Sequence, residues 1–146
     1  MRPTPIASAA LAVAAVLALT ASVAQGAGNL AAKAVALKPL VMDKTLAFAP
    51  KEYTVQTGKY YQWHIKSQGG ESFILKAPGL WENVMVEKIV ADNVEFIPGG
   101  GVKSISFDDG EASEIDIFFV PVSTGNFDFY AAGFEKKGMI GKFHIR

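Results

Sequence analysis

The sequence contains no cysteine and only two histidines, His64 and His144. Without cysteine the protein can form no disulfide framework, no thiolate nucleophile and no cysteine-liganded zinc, iron–sulfur or copper centre. Both histidines lie in segments that we expect to be strands, and the sequence has no nucleophile-elbow motif, so the pattern does not favour a hydrolase. We therefore predict that the protein is not an enzyme, and we assign no catalytic residue.

An excess of charge of either sign is also missing, since 14 Lys and Arg stand against 14 Asp and Glu. Loss of an N-terminal segment that includes Arg2 would leave 13 basic against 14 acidic side chains, a net charge of −1. A basic face is the usual footprint of a protein that binds nucleic acid or an anionic membrane. The composition therefore predicts neither of these partners.

Long apolar runs are rare, and the one that is present, residues 6–19, lies near the N-terminus. Arg2 precedes this run and small residues follow it, which is the layout of a secretory signal peptide with cleavage after Ala24 or Gly26. A membrane anchor is the alternative, but the run is shorter than the roughly 20 apolar residues that span a bilayer. We expect residues 1–26 to be removed and the mature chain to be periplasmic, without a membrane span.

The remaining sequence alternates apolar and polar residues in short segments that end at glycine-rich turns. Tyr61, Trp63 and Ile65, for example, alternate with polar neighbours, as expected for a strand with one buried face. Several such segments at a spacing of about 8–12 residues favour a single all-β sandwich. We place this domain at residues 46–146, and residues 27–45 fit either a lead segment or a first strand.

The segment around residues 79–89 is ambiguous. Trp81, Met85 and Ile89 have the spacing of one helical face, whereas the valines between them suit a strand equally well. We predict one short helix in this interval, followed by a strand.

Two stretches resemble the cupredoxin family, the plastocyanin and azurin superfamily of Greek-key β-sandwiches. The phrase FAPKEYTVQTGKYYQWHIK is similar to the opening strands of that family, and FDFYAAGFEKKGMIGKFHIR is similar to its last strands and metal loop. The family loop runs Tyr-Cys-x-x-His-x-x-x-x-Met-x-Gly. Tyr130, Met139 and Gly141 match it, whereas Ala131 stands at the cysteine position and Phe134 at the histidine position. The resemblance implies a cupredoxin fold, and the two replaced ligands exclude a type-1 copper centre.

The resemblance also places Glu71 where the family has its first histidine, which leaves Glu71 and Met139 as candidate ligands of a weak, non-blue metal site. Glu135 could add a second carboxylate and so favour iron over Cu(I). His64 and His144 are weaker candidates, because His144 lies roughly 16 Å along its strand from Met139. A surface pair of the two histidines is a further possibility if their strands are neighbours. The alternative is a solvated Glu71, with Met139 and Phe134 filling the loop.

Two further features have ordinary explanations. The acidic group between Asp108 and Asp116 lacks the spacing of a calcium loop and fits a solvated turn. Trp81 fits the core, with a partner-facing position as the alternative.

The leading functional hypothesis is an exported binding module that is accessory to copper or iron handling, a transport accessory with a periplasmic protein partner. The alternatives are a metal-free interaction or assembly accessory and a structural domain of an oxidase or respiratory complex.

Overall fold

The computed structural model describes Leu30 and residues 32–146. The predicted signal peptide, residues 1–26, therefore lies outside the described residues. Within the described part, no helix is long and apolar enough to cross a membrane. The same part contains one α-helical turn, α1 (Pro78–Trp81), one 3₁₀-helix (Glu135–Lys137) and twelve strands: β1 (Val35–Ala36), β2 (Leu40–Met42), β3 (Phe48–Ala49), β4 (Glu52–Val55), β5 (Tyr61–Ser67), β6 (Phe73–Lys76), β7 (Val84–Ala91), β8 (Val94–Phe96), β9 (Ser104–Phe107), β10 (Ser113–Pro121), β11 (Gly125–Ala131) and β12 (Ile140–Ile145).

The described strands form two sheets around one apolar core. The first sheet has the order β3–β2–β5–β10–β7–β8, with β1 also paired to β5, and the second has the order β4–β12–β11–β6–β9. Buried side chains from both sheets join a single core cluster. The predicted all-β sandwich is therefore confirmed.

Strand β5 shows how the sequence pattern becomes a layer of this sandwich. Tyr61, Trp63 and Ile65 are buried, whereas Gln62 and His64 lie half-exposed on the outer face. Successive side chains of a strand point to opposite faces of the sheet, so the two-residue alternation fixes which face joins the core. The alternation predicted for this segment is confirmed.

Four aromatic rings from both sheets meet at the centre of the core. Phe143 stacks on Tyr53 at a centroid distance of 4.8 Å and meets Trp63 edge-on at 4.9 Å. Phe129 lies 5.4 Å from Trp63 and 5.6 Å from Phe143, in edge-on contacts. These are the offset and perpendicular arrangements that aromatic pairs prefer, and they join the two sheets.

Residues ahead of the predicted domain boundary belong to the sandwich. Strands β1 and β2 both pair in parallel with β5. Leu40 and Met42 on β2 have no exposed surface. Of the two interpretations of residues 27–45, these pairings favour a strand over a lead segment.

The ambiguous segment contains one short helix, but most of it is strand. Helix α1 is a single turn, and residues 84–91 form β7 because their valines and isoleucine pack well on a pleated sheet. A hairpin then leads to β8, a strand that the sequence analysis did not identify. Asp92 and Asn93 form its turn with φ angles of 49° and 63°, a conformation that Asp and Asn tolerate better than most residues.

Tyr53 makes the fold sensitive to alkali. Its hydroxyl donates a hydrogen bond to the Lys38 carbonyl at 3.0 Å, and burial raises its pKa from 10.0 to about 12. The stabilisation that this protonated tyrosine contributes is complete below pH 10.0 and is lost as the pH rises through about 12. We expect the urea unfolding midpoint to fall over this interval.

Tyr53→Phe tests this linkage, because it keeps the ring and removes the titrating group. The variant should lose less stability than the wild type between the two pH values. Part of the loss should remain, since burial and Glu87 also raise the pKa of Tyr60. An unchanged pH dependence would contradict the role of Tyr53.

Candidate functional site

The loop between β11 and β12 is closed by its own backbone. The Ala131 N–H donates to the Met139 carbonyl at 3.0 Å, and the Met139 N–H donates to the Phe134 carbonyl at 3.2 Å. The Phe134 N–H donates to the Ala131 carbonyl at 3.0 Å, which completes a tight turn. The loop is tied to β6 by a bond of 2.9 Å from the Ala132 N–H to the Ile74 carbonyl.

The interior of this loop is filled by apolar side chains. Ala131 and Met139 have no exposed surface. The Phe134 ring is half-buried and meets the Phe73 ring edge-on at a centroid distance of 5.5 Å. The Lys137 ammonium lies 5.3 Å from the centre of the Phe134 ring and covers its outer side. The loop end is thus a packed cap.

These residues do not fit the copper ion that cupredoxins hold. A type-1 copper site needs a thiolate and two imidazoles in one plane, with a weak thioether as the axial ligand. A methyl group at Ala131 and a phenyl ring at Phe134 cannot donate electron pairs to a metal. Met139 offers a thioether, which is a weak ligand for Cu(II) on its own.

The two carboxylates predicted near the loop lie in separate segments. Glu71 is exposed in the connection between β5 and β6, and Glu135 is half-buried at the start of the 3₁₀-helix. Among the described residues, no group of three or more His, Asp or Glu could hold a metal ion. The Glu71 and Met139 site therefore stays a prediction, with one exposed and one fully buried ligand.

His64 is engaged by its own strand neighbours on the outer face of the first sheet. Its Nδ1 lies 3.0 Å from Asp116 Oδ1 and its Nε2 lies 3.5 Å from Glu114 Oε2. Gln62 Nε2 also donates to Asp116 Oδ1 at 2.9 Å. These contacts make His64 part of a polar network between β5 and β10.

His144 lies in the second sheet, on β12. Its Nδ1 is 2.6 Å from Asn126 Oδ1, and its Nε2 is 3.9 Å from Glu52 Oε2. Because His64 and His144 belong to different sheets, their strands are not neighbours. The surface pairing of the two histidines is therefore wrong.

Trp81 is a core residue. It is 8% exposed, and its ring centroid lies 6.2 Å from that of Trp63. The core interpretation is confirmed, and the partner-facing alternative is wrong.

Among the described residues, one group of exposed apolar side chains was not predicted from the sequence. Val94 and Phe96 on β8, and Ile97 directly after it, are 51%, 54% and 82% exposed. The Asp92–Asn93 pair between two apolar segments was the available signal for this hairpin. The side chains of β8 are exposed because β8 is the last strand of the described sheet.

Comparisons of the sequence with family models and with curated proteins find no match. Comparison of the fold with solved structures finds several similar proteins. A laccase from Pediococcus acidilactici is 13% identical, with a TM-score of 0.61 over 82% of this chain and 29% of that chain. A multicopper oxidase from Campylobacter jejuni is 10% identical, with a TM-score of 0.55 over 78% of this chain and 30% of that chain.

The chain thus spans less than a third of either oxidase, but it matches a smaller protein over nearly its whole length. Auracyanin from Roseiflexus castenholzii is 17% identical, with a TM-score of 0.50 over 79% of this chain and 98% of that chain. At these identities the similarity concerns the fold alone. The two sheets, the closed β11–β12 loop and these neighbours together establish that the chain has a cupredoxin-like fold.

Proposed function

We propose that this chain is an exported, non-catalytic, cupredoxin-like module that binds another protein, and that its loop end is a packed cap without a metal. The filled loop interior is the observation that carries the metal-free cap. Ala131 and Met139 are completely buried, and Phe134 packs on Phe73.

The chemistry of this cap supports a structural role for the loop. Fully burying an apolar side chain such as Met139 is worth about 1.5–3 kcal/mol, and the half-buried Phe134 ring adds part of such a gain, which stabilises the loop without any ligand. A metal ion bound beside Met139 would have to displace that packing and to recruit the exposed carboxylate of Glu71. A soft thioether and a hard carboxylate have no common preferred metal, so the gain would be small.

Addition of Cu(II) or Fe(II) should therefore leave the purified protein unchanged. We expect no copper–thiolate absorption band, no 1:1 endpoint in calorimetry and no rise in Tm, since only a ligand that binds the native state raises Tm. The matched variants are Glu71→Gln and Met139→Leu. A 1:1 endpoint that either variant abolishes would contradict the metal-free cap and support the weak site predicted from the sequence.

The association with copper or iron handling stays a prediction, because a shared fold at this identity carries no activity. Protein binding is favoured by a separate observation, the exposed apolar side chains on β8 and directly after it. Exposed apolar groups that adjoin one another commonly mark interaction sites.

A further inference from the structure

Strand β8 is an open edge of the first sheet. It pairs with β7 on one side, and it is the last strand in the hydrogen-bonded order of the described sheet. Val94 and Phe96 project from one face of this strand, and Ile97 follows directly. Single exposed apolar residues are common, but three within four positions on an open edge form a surface that can accept another strand.

The chain around this edge is strongly acidic. Residues 84–116, from β7 to the middle of β10, contain eight Asp and Glu against two Lys, a net charge of −6. All other described residues together contain eleven Lys and Arg against six Asp and Glu, a net charge of +5. A nearly neutral chain thus has a large charge asymmetry. We call the surface formed by residues 84–116 the acidic edge.

The fold brings this segment to one side of the sandwich. Strands β7, β8 and β10 lie together in the first sheet, and β9 is one of the two edge strands of the second. A cavity of about 490 Å³ lies between β7, β9 and β10. Phe107 and Ile115 contribute apolar wall to it, and its carboxylates come from Asp92, Asp108, Asp109, Glu111 and Glu114.

The shape and charge of the cavity suit a lysine or arginine side chain. The aliphatic stem of such a side chain can lie on apolar surface while its charged end meets carboxylates. The cavity reaches Ala91 and Asp92, at the turn of the β7–β8 hairpin. It therefore lies next to the turn from which β8 starts.

We propose that the acidic edge binds an extended basic segment of a partner protein, which pairs with β8 and alternates apolar with Lys or Arg residues. An added strand gains backbone hydrogen bonds, and its alternate side chains face opposite sides of the sheet. One set would meet Val94 and Phe96. The other would meet Glu95, whose carboxylate at present accepts a hydrogen bond of 3.0 Å from Lys88. This inference rests on the proposed protein-binding function.

The test uses the full chain and a labelled synthetic peptide of alternating lysine and valine, followed by fluorescence anisotropy. We expect binding that weakens as salt is raised, and no binding of the matching glutamate–valine peptide. Phe96→Ser, or Asp108→Asn combined with Asp109→Asn, should each weaken binding by about ten-fold. A peptide whose backbone nitrogens are methylated along one edge should bind as weakly as these variants do, because it cannot donate hydrogen bonds to the backbone of β8.

The matched controls remove similar groups elsewhere on the surface. Val122→Ser changes a side chain that is also 54% exposed, and Asp128→Asn combined with Glu135→Gln removes two carboxylates outside the acidic edge. These variants should keep wild-type affinity for the peptide. All substituted side chains are at least partly exposed, so folding is checked by circular dichroism and is expected to be intact.

Two results would overturn the proposal. One is an affinity that the acidic-edge variants leave unchanged or that the controls weaken equally. The other is self-association in sedimentation velocity that depends on Phe96 without peptide binding, which would make a second copy the occupant. The metal titration tests Glu71 and Met139, which the peptide-binding variants leave unchanged. Metal binding would therefore contradict the packed cap without affecting the proposed peptide binding.

Discussion

Phe143→Ala should lower the free energy of unfolding by about 3–5 kcal/mol, the range for removal of a buried aromatic ring. Phe143 has no exposed surface and is the ring at which both sheets meet. It contacts Tyr53 at 4.8 Å, Trp63 at 4.9 Å and Phe129 at 5.6 Å between centroids. Its removal would leave a cavity that these rigid neighbours cannot refill. Urea unfolding, followed by tryptophan fluorescence and circular dichroism, measures the change.

The control lies on the same strand. Ile140 is 39% exposed, so Ile140→Ala should cost less than about 1 kcal/mol. A loss for Phe143→Ala as small as that for Ile140→Ala would show that β12 tolerates truncation at its buried positions, and that the aromatic centre does not hold the sheets together.

Gly141→Ala should cost about 3 kcal/mol, because this backbone position has no room for a methyl group. A Cβ at Gly141 would lie 2.5 Å from the Lys51 carbonyl oxygen and even closer to the Phe129 ring. Neither neighbour can yield easily, since the Lys51 carbonyl accepts a bond of 2.8 Å from the Lys142 N–H and Phe129 is fully buried. The same unfolding measurement applies.

Gly99→Ala is the matched control. A Cβ at Gly99 meets nothing within 4 Å, and the residue has no positive φ. The substitution should be neutral or slightly stabilising, because alanine restricts the unfolded chain more than glycine does. A Gly141→Ala variant as stable as the Gly99→Ala variant would mean that β12 shifts freely away from β4.

Gly141 also helps to explain why the loop resembles a metal loop, although Ala131 and Phe134 replace the cysteine and histidine ligands. Of the matching residues, Gly141 allows β12 to approach β4, and Met139 fills the cap. Both tasks are packing tasks that need no metal. The resemblance therefore predicted the fold correctly, on residues that pack in the cap and between the strands.

The sequence by itself determined the fold class and part of the chemistry. The two-residue alternation of Tyr61, Trp63 and Ile65 selected the buried face of β5, because strand geometry is local and needs no knowledge of the partner strand. The absence of cysteine excluded any thiolate ligand whatever the fold. The closing motif identified the loop that Phe134 and Met139 fill.

Only the tertiary structure decided which distant residues share a surface. Strand order placed His64 and His144 in different sheets, buried Trp81, and left β8 unpaired on one side. It also gathered the carboxylates of Asp92, Asp108, Asp109, Glu111 and Glu114 around one cavity, although the whole chain is nearly neutral. These outcomes depend on pairings between residues far apart in sequence, which periodicity cannot encode, because a local pattern specifies a strand's faces but not its neighbours.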